Sequence, residues 1–207
     1  MESNEQVKSQ MLGTMKMTKL VPKVSVPIMI SMLVQALYNV VDSIFVAQYD
    51  ANALTAVSLA YPIQMLMIAV STGLGVGINS LISRKLGEKR GDEAHDAARN
   101  GIMLSLIGYL LFLVFGLFFT RPFFAMMTPD AALQELGCQY LQIVCVFGFG
   151  LFLSVTFERF VQATGNTILS MVMQLTGAIT NIILDPIMIF GLLGCPRMGI
   201  AGAAVAT

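Results

Sequence analysis

Apolar residues fall along this chain in long runs separated by short polar stretches. The runs cover about residues 24–48, 53–82 (interrupted by Pro62), 101–120, 136–161 and 168–191. A bilayer core of ~30 Å is crossed by about 20 apolar residues in a helix. Each of the five runs reaches that length, so the pattern predicts an all-α integral membrane protein. A sixth run starts near Gly199 and reaches the last residue, Thr207, after nine residues, too few to cross. The expected organisation is a polar N-terminal segment, residues 1–21, and one transmembrane unit, residues 22–207. The chain reads as a piece of something longer.

Composition agrees with that pattern. Hydrophobic residues make up 56% of the 207 residues, before 18 glycines are counted, and charged residues only 12%. Soluble chains average ~45–50% apolar with glycine included and ~25% charged. Mean hydropathy is +0.77. The first apolar run is too long for the hydrophobic part of a cleavable signal, and no small-residue cleavage site follows it. No basic stripe is dense enough to neutralise phosphates, which argues against a nucleic-acid partner.

Net charge is zero, yet the basic residues are unevenly placed. Ten of the twelve lie on one side of the expected spans: Lys8, Lys16, Lys19, Lys23, the group Arg84, Lys85, Lys89, Arg90 and Arg99, and Arg159. Arg121 and Arg197 fall on the other. Basic residues accumulate in cytoplasmic loops, so the N-terminus is expected in the cytoplasm. The loop SRKLGEKRGDEAHDAAR also holds Glu88, Asp92, Glu93 and Asp96. It reads as a topological signal and a solvated surface, with His95 a solvated side chain, rather than as a headgroup site.

Candidate chemistry is concentrated in two acids deep in the apolar runs: Asp42 in QALYNVVDSIFV and Asp185 in NIILDPIMIFG. A charge at the bilayer centre costs at least ~2.5–3.5 kcal/mol, which makes an intramembrane acid a functional candidate. Each acid stands six residues before the outer end of its run, about 9 Å below the edge at 1.5 Å per residue. Both runs point outward, so the acids share a height. Asn181 lies one turn before Asp185 on the same face, and Thr207 falls at a comparable depth. These four residues fit a shuttled proton or a bound sodium ion, and the residues alone leave both open. Glu158, beside Arg159 near the cytoplasmic end of its run, reads as half of an interfacial ion pair.

Pro186 follows Asp185 and carries no N–H, so the carbonyl of Ile182 loses its helical partner and a kink is expected. Pro27 has a plainer account, because proline is common in the first turn of a helix. Gly73 and Gly77 form GxxxG in TGLGVGIN, a pattern of close helix packing, and Gly148 and Gly150 read the same way. Cys138, Cys145 and Cys195 read as free thiols packed as small apolar groups. No His cluster, HExxH or serine dyad lies in any run, which argues against an intramembrane enzyme.

With these residues assembled, the chain resembles the N-terminal half of a multidrug and toxic compound extrusion (MATE) transporter. The motifs that carry the resemblance are VPIMISMLVQALYNVVDSIFVA, AVSLAYPIQML, ERFVQATGN, NIILDPIMIFG and GIAGAAVAT. Pro27 with Asp42 and Asp185 resembles the DinF-like branch. The resemblance implies twelve helices in two six-helix lobes, of which this chain is the first with its sixth helix truncated. It implies a secondary antiporter of the cell membrane, bacterial inner membrane in character, that exports drugs or toxic organic cations in exchange for protons or sodium. It also implies an N-lobe cation site matching Asp42, Asn181, Asp185, Thr207 and Tyr140, and a bend at Pro27. No organic cofactor is expected. The expected partners are small amphipathic cations, membrane lipid, and a second lobe from the same gene or another chain. The competing readings are a flippase for lipids or lipid-linked sugars, and a membrane subunit that transports nothing.

Overall fold

The computed structural model describes residues 16–49, 51–191 and 199–206. Residues 1–15 of the expected N-terminal segment, Cys195, Arg197 and Thr207 lie outside the described residues. The rest is helical, with no strand among the described residues. In chain order the helices are α1 (Met17–Tyr49), α2 (Ala51–Gly87), α3 (Gly91–Phe118), α4 (Thr120–Met127), α5 (Ala131–Phe147), α6 (Phe149–Ala163), α7 (Thr167–Phe190) and α8 (Ile200–Ala206). A helix satisfies its backbone hydrogen bonds internally, which an apolar solvent demands. Four helices, α1, α2, α3 and α7, are each long and apolar enough to cross a membrane.

The fourth expected span, 136–161, is two helices. α5 and α6 meet at Gly148 with a bend of 43°. Glycine is required there: a Cβ would stand 2.7 Å from the Met67 methyl group and 3.1 Å from the Val144 carbonyl oxygen. The Tyr109 hydroxyl donates to the Val146 carbonyl at 2.8 Å, so a side chain from α3 satisfies a backbone group beside the break.

Two expected boundaries also move. α1 starts at Met17, so residues 17–21 are helix, and Pro27 is the eleventh residue of α1 rather than a first-turn proline. The basic stretch between the second and third spans is mostly helix as well. α2 runs to Gly87 with Arg84 and Lys85 in its last turn, and α3 opens with Asp92 and Glu93 in its first. Each set of charges opposes the dipole end it sits on. Lys85 reaches across the turn to Glu93 at 2.7 Å, Arg84 pairs with Glu88 at 3.0 Å, and Arg90 pairs with Glu93. The Arg84 hydrogen bond to Glu88 holds that carboxyl below the usual carboxylate range. His95 is exposed.

α2 is the central helix, packed against α1, α3, α5 and α6, while α7 lies along α1 and also touches α6 and α8. Lipid tails are as apolar as the side chains, so helices associate here through close packing of small residues rather than through the hydrophobic effect. Ala53, Ala56 and Ala60 line one face of α2 and are fully buried. Gly116 lets α3 approach Cys145 of α5, and Gly75 accepts the stem of Arg159. Gly202 brings α8 onto the backbone of α7, where a Cβ would stand 2.6 Å from the Met188 carbonyl oxygen. The expected GxxxG contact is not made: Gly73, Gly77 and Gly150 are exposed, and a Cβ on any of them would meet nothing within 4 Å. The packing glycine of that stretch is Gly75, half a turn away. Cys145 is buried and Cys138 half-buried, both as free thiols. Ser105 and Thr156 make a buried polar contact between α3 and α6 at 2.6 Å. The Thr156 hydroxyl donates to its own helix at Phe152, so Ser105 is the donor.

This packing makes a direct prediction. Gly116→Val overfills the α3–α5 contact and should cost about 1–3 kcal/mol, read as a lower thermal midpoint of the purified protein. Gly73→Val and Gly77→Val, at open positions, should leave the midpoint unchanged. Equal losses at all three positions would contradict the packing described.

Candidate functional site

The lengthwise contact of α1 with α7 brings the two intramembrane acids together. Asp42 stands seven residues before the end of α1, and Asp185 five before the end of α7. At 1.5 Å per residue both lie about 8–10 Å below their helix ends. Phe45, one turn beyond Asp42, meets Phe190 edge-to-face with ring centroids 6.4 Å apart, closing the contact above the acids. Their charges act on each other and on the hydroxyls of Tyr38 and Tyr140. The acids therefore share one electrostatic layer rather than pointing into separate surroundings.

The layer is short of donors among the described residues. Asp185 is 1% exposed, and neither of its carboxylate oxygens has a hydrogen-bond partner among the described residues. Asp42 Oδ1 is buried and unpartnered in the same sense. All the ion pairs among the described residues lie at the α2–α3 turn. Leaving a buried acceptor unsatisfied costs ~1–3 kcal/mol, and more for a charged group. A proton or small cation at that place would remove the cost by supplying positive charge where the described residues supply none.

Tyr140 on α5 is 2% exposed, and its hydroxyl accepts from Gln64 Nε2 at 2.9 Å. That bond ties α2 to α5 at the edge of the acid layer. Asn181 is half-buried one turn before Asp185. Thr207 lies outside the described residues, but α8 carries the chain along α5 and α7, and Gly199 N–H donates to the Ile189 carbonyl at 3.3 Å. α7 is helical through Pro186, and α1 through both Pro22 and Pro27. Each proline withholds one N–H from its helical ladder.

Two residues of this layer escaped the sequence reading. Tyr38 is one turn before Asp42 on the same face, a spacing that could have found it. Gln64, an amide inside an apolar run, is a signal of the same kind as the acids. The expected Glu158–Arg159 ion pair is absent among the described residues. Glu158 is instead buried among neutral donors, and Arg159 donates to Gln162 Oε1 at 2.7 Å. Neighbouring residues on a helix point about 100° apart, so the two side chains face different helices.

Sequence comparison finds relatives over most of the chain. A FAD transporter of Shewanella oneidensis is 27% identical over 183 residues, 88% of this chain and 40% of its own length. Multidrug export protein MepA of Staphylococcus haemolyticus is 32% identical over 184 residues, again 88% of this chain and 40% of the relative. The chain thus spans about 40% of the length of these relatives. Among solved structures, a MATE in the straight conformation superposes with a TM-score of 0.83 at 33% identity, covering 91% of this chain and 41% of that one. A MATE in the bent conformation gives 0.81 at 31% identity, covering 92% and 42%. A MOP superfamily transporter from Pyrococcus furiosus, described as having a binding pocket of reversed polarity, gives 0.83 at 32% identity, covering 91% and 41%. The MatE family profile matches residues 27–187. On that match the chain belongs to the MatE family, the multidrug and toxic compound extrusion transporters.

Proposed function

We propose that this chain is the ion-coupling lobe of a secondary antiporter that exports amphipathic organic cations in exchange for inward-moving protons or sodium ions. The observation that carries this reading is the buried Asp185 carboxylate, which has no donor among the described residues and shares its layer with the charge of Asp42. Such a layer is unfavourable when both acids are bare and favourable when a cation or proton occupies it. Two ligands that compete for one excess of negative charge exclude each other, which is the elementary requirement of exchange. A cationic cargo and an inward-moving proton fit that requirement. The relatives named for multidrug export favour the same cargo class. An anionic cargo, such as a lipid-linked sugar phosphate, finds no basic partner in this layer.

The coupling set in this proposal is Asp42, Asp185 and Asn181, with Tyr140 and Thr207. Pro27 and Pro186 are its hinges, one in each helix that carries an acid. The protein sits in the cell membrane with its N-terminus in the cytoplasm, following the bias of its basic residues. Alternation needs a second lobe, consistent with the share of the relatives' length that this chain spans.

Three outcomes test this. In cells carrying the full-length gene, Asp42→Asn and Asp185→Asn should each reduce dye or drug efflux at least tenfold at unchanged protein level. Wild-type efflux in both variants would sink carboxylate coupling. Replacing sodium by choline at fixed pH separates the ions: efflux persists if the proton couples and collapses if sodium does. Pro27→Ala, which restores the missing N–H, should slow turnover severalfold while equilibrium binding of the cation stays within about twofold; unchanged turnover removes the hinge.

A further inference from the structure

α7 carries a second polar cluster at its other end. Glu158 of α6 is 7% exposed, and three neutral donors converge on its Oε1: Gln162 Nε2 at 2.6 Å, Gln174 Nε2 at 2.7 Å and the Ser170 hydroxyl at 3.2 Å. Gln162 also donates to Ser170 at 2.8 Å. Ser83 of α2 donates to the Ala163 carbonyl at 3.4 Å, which places this end of α6 on the side of the basic α2–α3 turn. Glu158 is five residues before the end of α6, about 8 Å inside it. It is a buried membrane acid that the outer layer does not use.

One helix face joins the two clusters. Ser170, Gln174, Gly177, Asn181 and Asp185 follow one another at steps of four, three, four and four. At about 100° per residue they fall within a stripe roughly 80° wide. Gln174 and Asp185 are eleven residues, about 16 Å, apart along it. Polar groups in a spanning helix face the bundle interior or a water-filled cavity, not lipid. Midway between Gln174 and Asn181 the stripe opens to the surface of the lobe: Gly177 is exposed, and a Cβ on it would meet nothing within 4 Å. The unpartnered buried atoms on the stripe are Gln174 Oε1 and both Asp185 oxygens, all of them acceptors.

We infer that Glu158 is the cytoplasmic proton-exchange group of this lobe, linked to Asp185 along the α7 stripe past Gly177. The inference rests on the proton form of the coupling reading above. In the transfer, the O–H bond of the Asp185 carboxyl breaks and an O–H bond forms on the Glu158 carboxylate, through water in the space beside Gly177. Asp185 is left as the carboxylate, and Glu158 then gives the proton to the cytoplasm. Amides do not carry a net proton, so Asn181 and Gln174 serve to orient the water. Among the charged groups around Glu158, Arg159 on its own helix donates to Gln162 instead. α7 brings no charge before Asp185. α2 brings Arg84 and Lys85, both paired with Glu88. α3 brings His95, Arg99 and the acids Asp92, Glu93 and Asp96 in its first turns, and α5 brings Glu135 near its opposite end. None forms an ion pair with Glu158 among the described residues.

The test uses the full-length protein in proteoliposomes that enclose a pH-sensitive dye, with ethidium as the cationic cargo. Glu158→Gln should keep ethidium affinity within about twofold and lower proton-driven exchange at least tenfold. Millimolar azide, a small weak acid able to ferry protons, should restore part of the lost rate, an effect that a purely structural role would not produce. Gly177→Leu leaves the Glu158 network untouched and should slow exchange at least fivefold with binding intact. Normal exchange in the wild type, none in Asp185→Asn and undiminished exchange in both Glu158→Gln and Gly177→Leu would overturn this inference alone. Wild-type protein that binds ethidium yet moves no protons would overturn the proton reading beneath it as well.

Discussion

The structure is organised around a carboxylate that its own protein leaves unsatisfied. Asp185 is 1% exposed on a helix packed against α1, α6 and α8, yet none of the described residues donates to it. A bundle built only for stability would place leucine there, since replacing buried charge by well-packed apolar groups is often neutral or favourable. The neighbours make the acid costlier still: Asp42 adds like charge, and Phe45 meets Phe190 toward the C-terminal ends of α1 and α7. Local structure, packing and electrostatics therefore converge on one site whose acceptors the described residues leave without donors. The surrounding apolar fold is what gives a positive partner its leverage, because the same charges in water would attract it weakly.

The rest of the bundle is built to hold that layer still. Alanines 53, 56 and 60 and the glycines at 116, 137 and 202 let helices approach until backbone and side chain touch. Gln64 fixes Tyr140, and Tyr109 secures the backbone beside the α5–α6 bend. α1 differs. Ser31 and Val46 are its only buried residues among those described, so apart from its seam with α7 the helix is loosely held within this lobe. The element that carries Asp42 is thus held chiefly by its seam with α7. It also contains Pro22 and Pro27, which weaken its ladder at the opposite end from the acid.

Much of this was legible in the sequence, because lipid imposes a simple length rule and a high cost on stray charge. Five apolar runs announced the helices. Two acids at equal depth on helices of the same direction announced the layer. The bend at Gly148 was hidden because glycine within an apolar run looks the same whether a helix passes through it or breaks. Gly73 and Gly77 misled through spacing alone, since a GxxxG pattern does not say which face meets a neighbour. Tyr38 was hidden by type, being one of five tyrosines that could equally lie at the interface. The pairing assigned to Glu158 failed because adjacency in sequence was taken for adjacency in space, and on a helix the partner is three or four residues away. That is where Gln162 is.

The two polar layers of α7 differ in their supply of donors. At the Glu158 end, Glu158 Oε1 accepts from Gln162, Gln174 and Ser170 at 2.6–3.2 Å, while Gln174 Oε1 has no partner among the described residues. At the Asp185 end, the acceptors lack donors. A carboxylate oxygen with three donors is largely satisfied by its own surroundings, whereas one with none is completed only by what binds it. The layer that lacks donors is therefore the one a cation would complete, and the Glu158 cluster is the one supplied with donors from within. Three donors converge on one oxygen of Glu158, against none on either oxygen of Asp185, and that asymmetry sets the two ends of α7 apart.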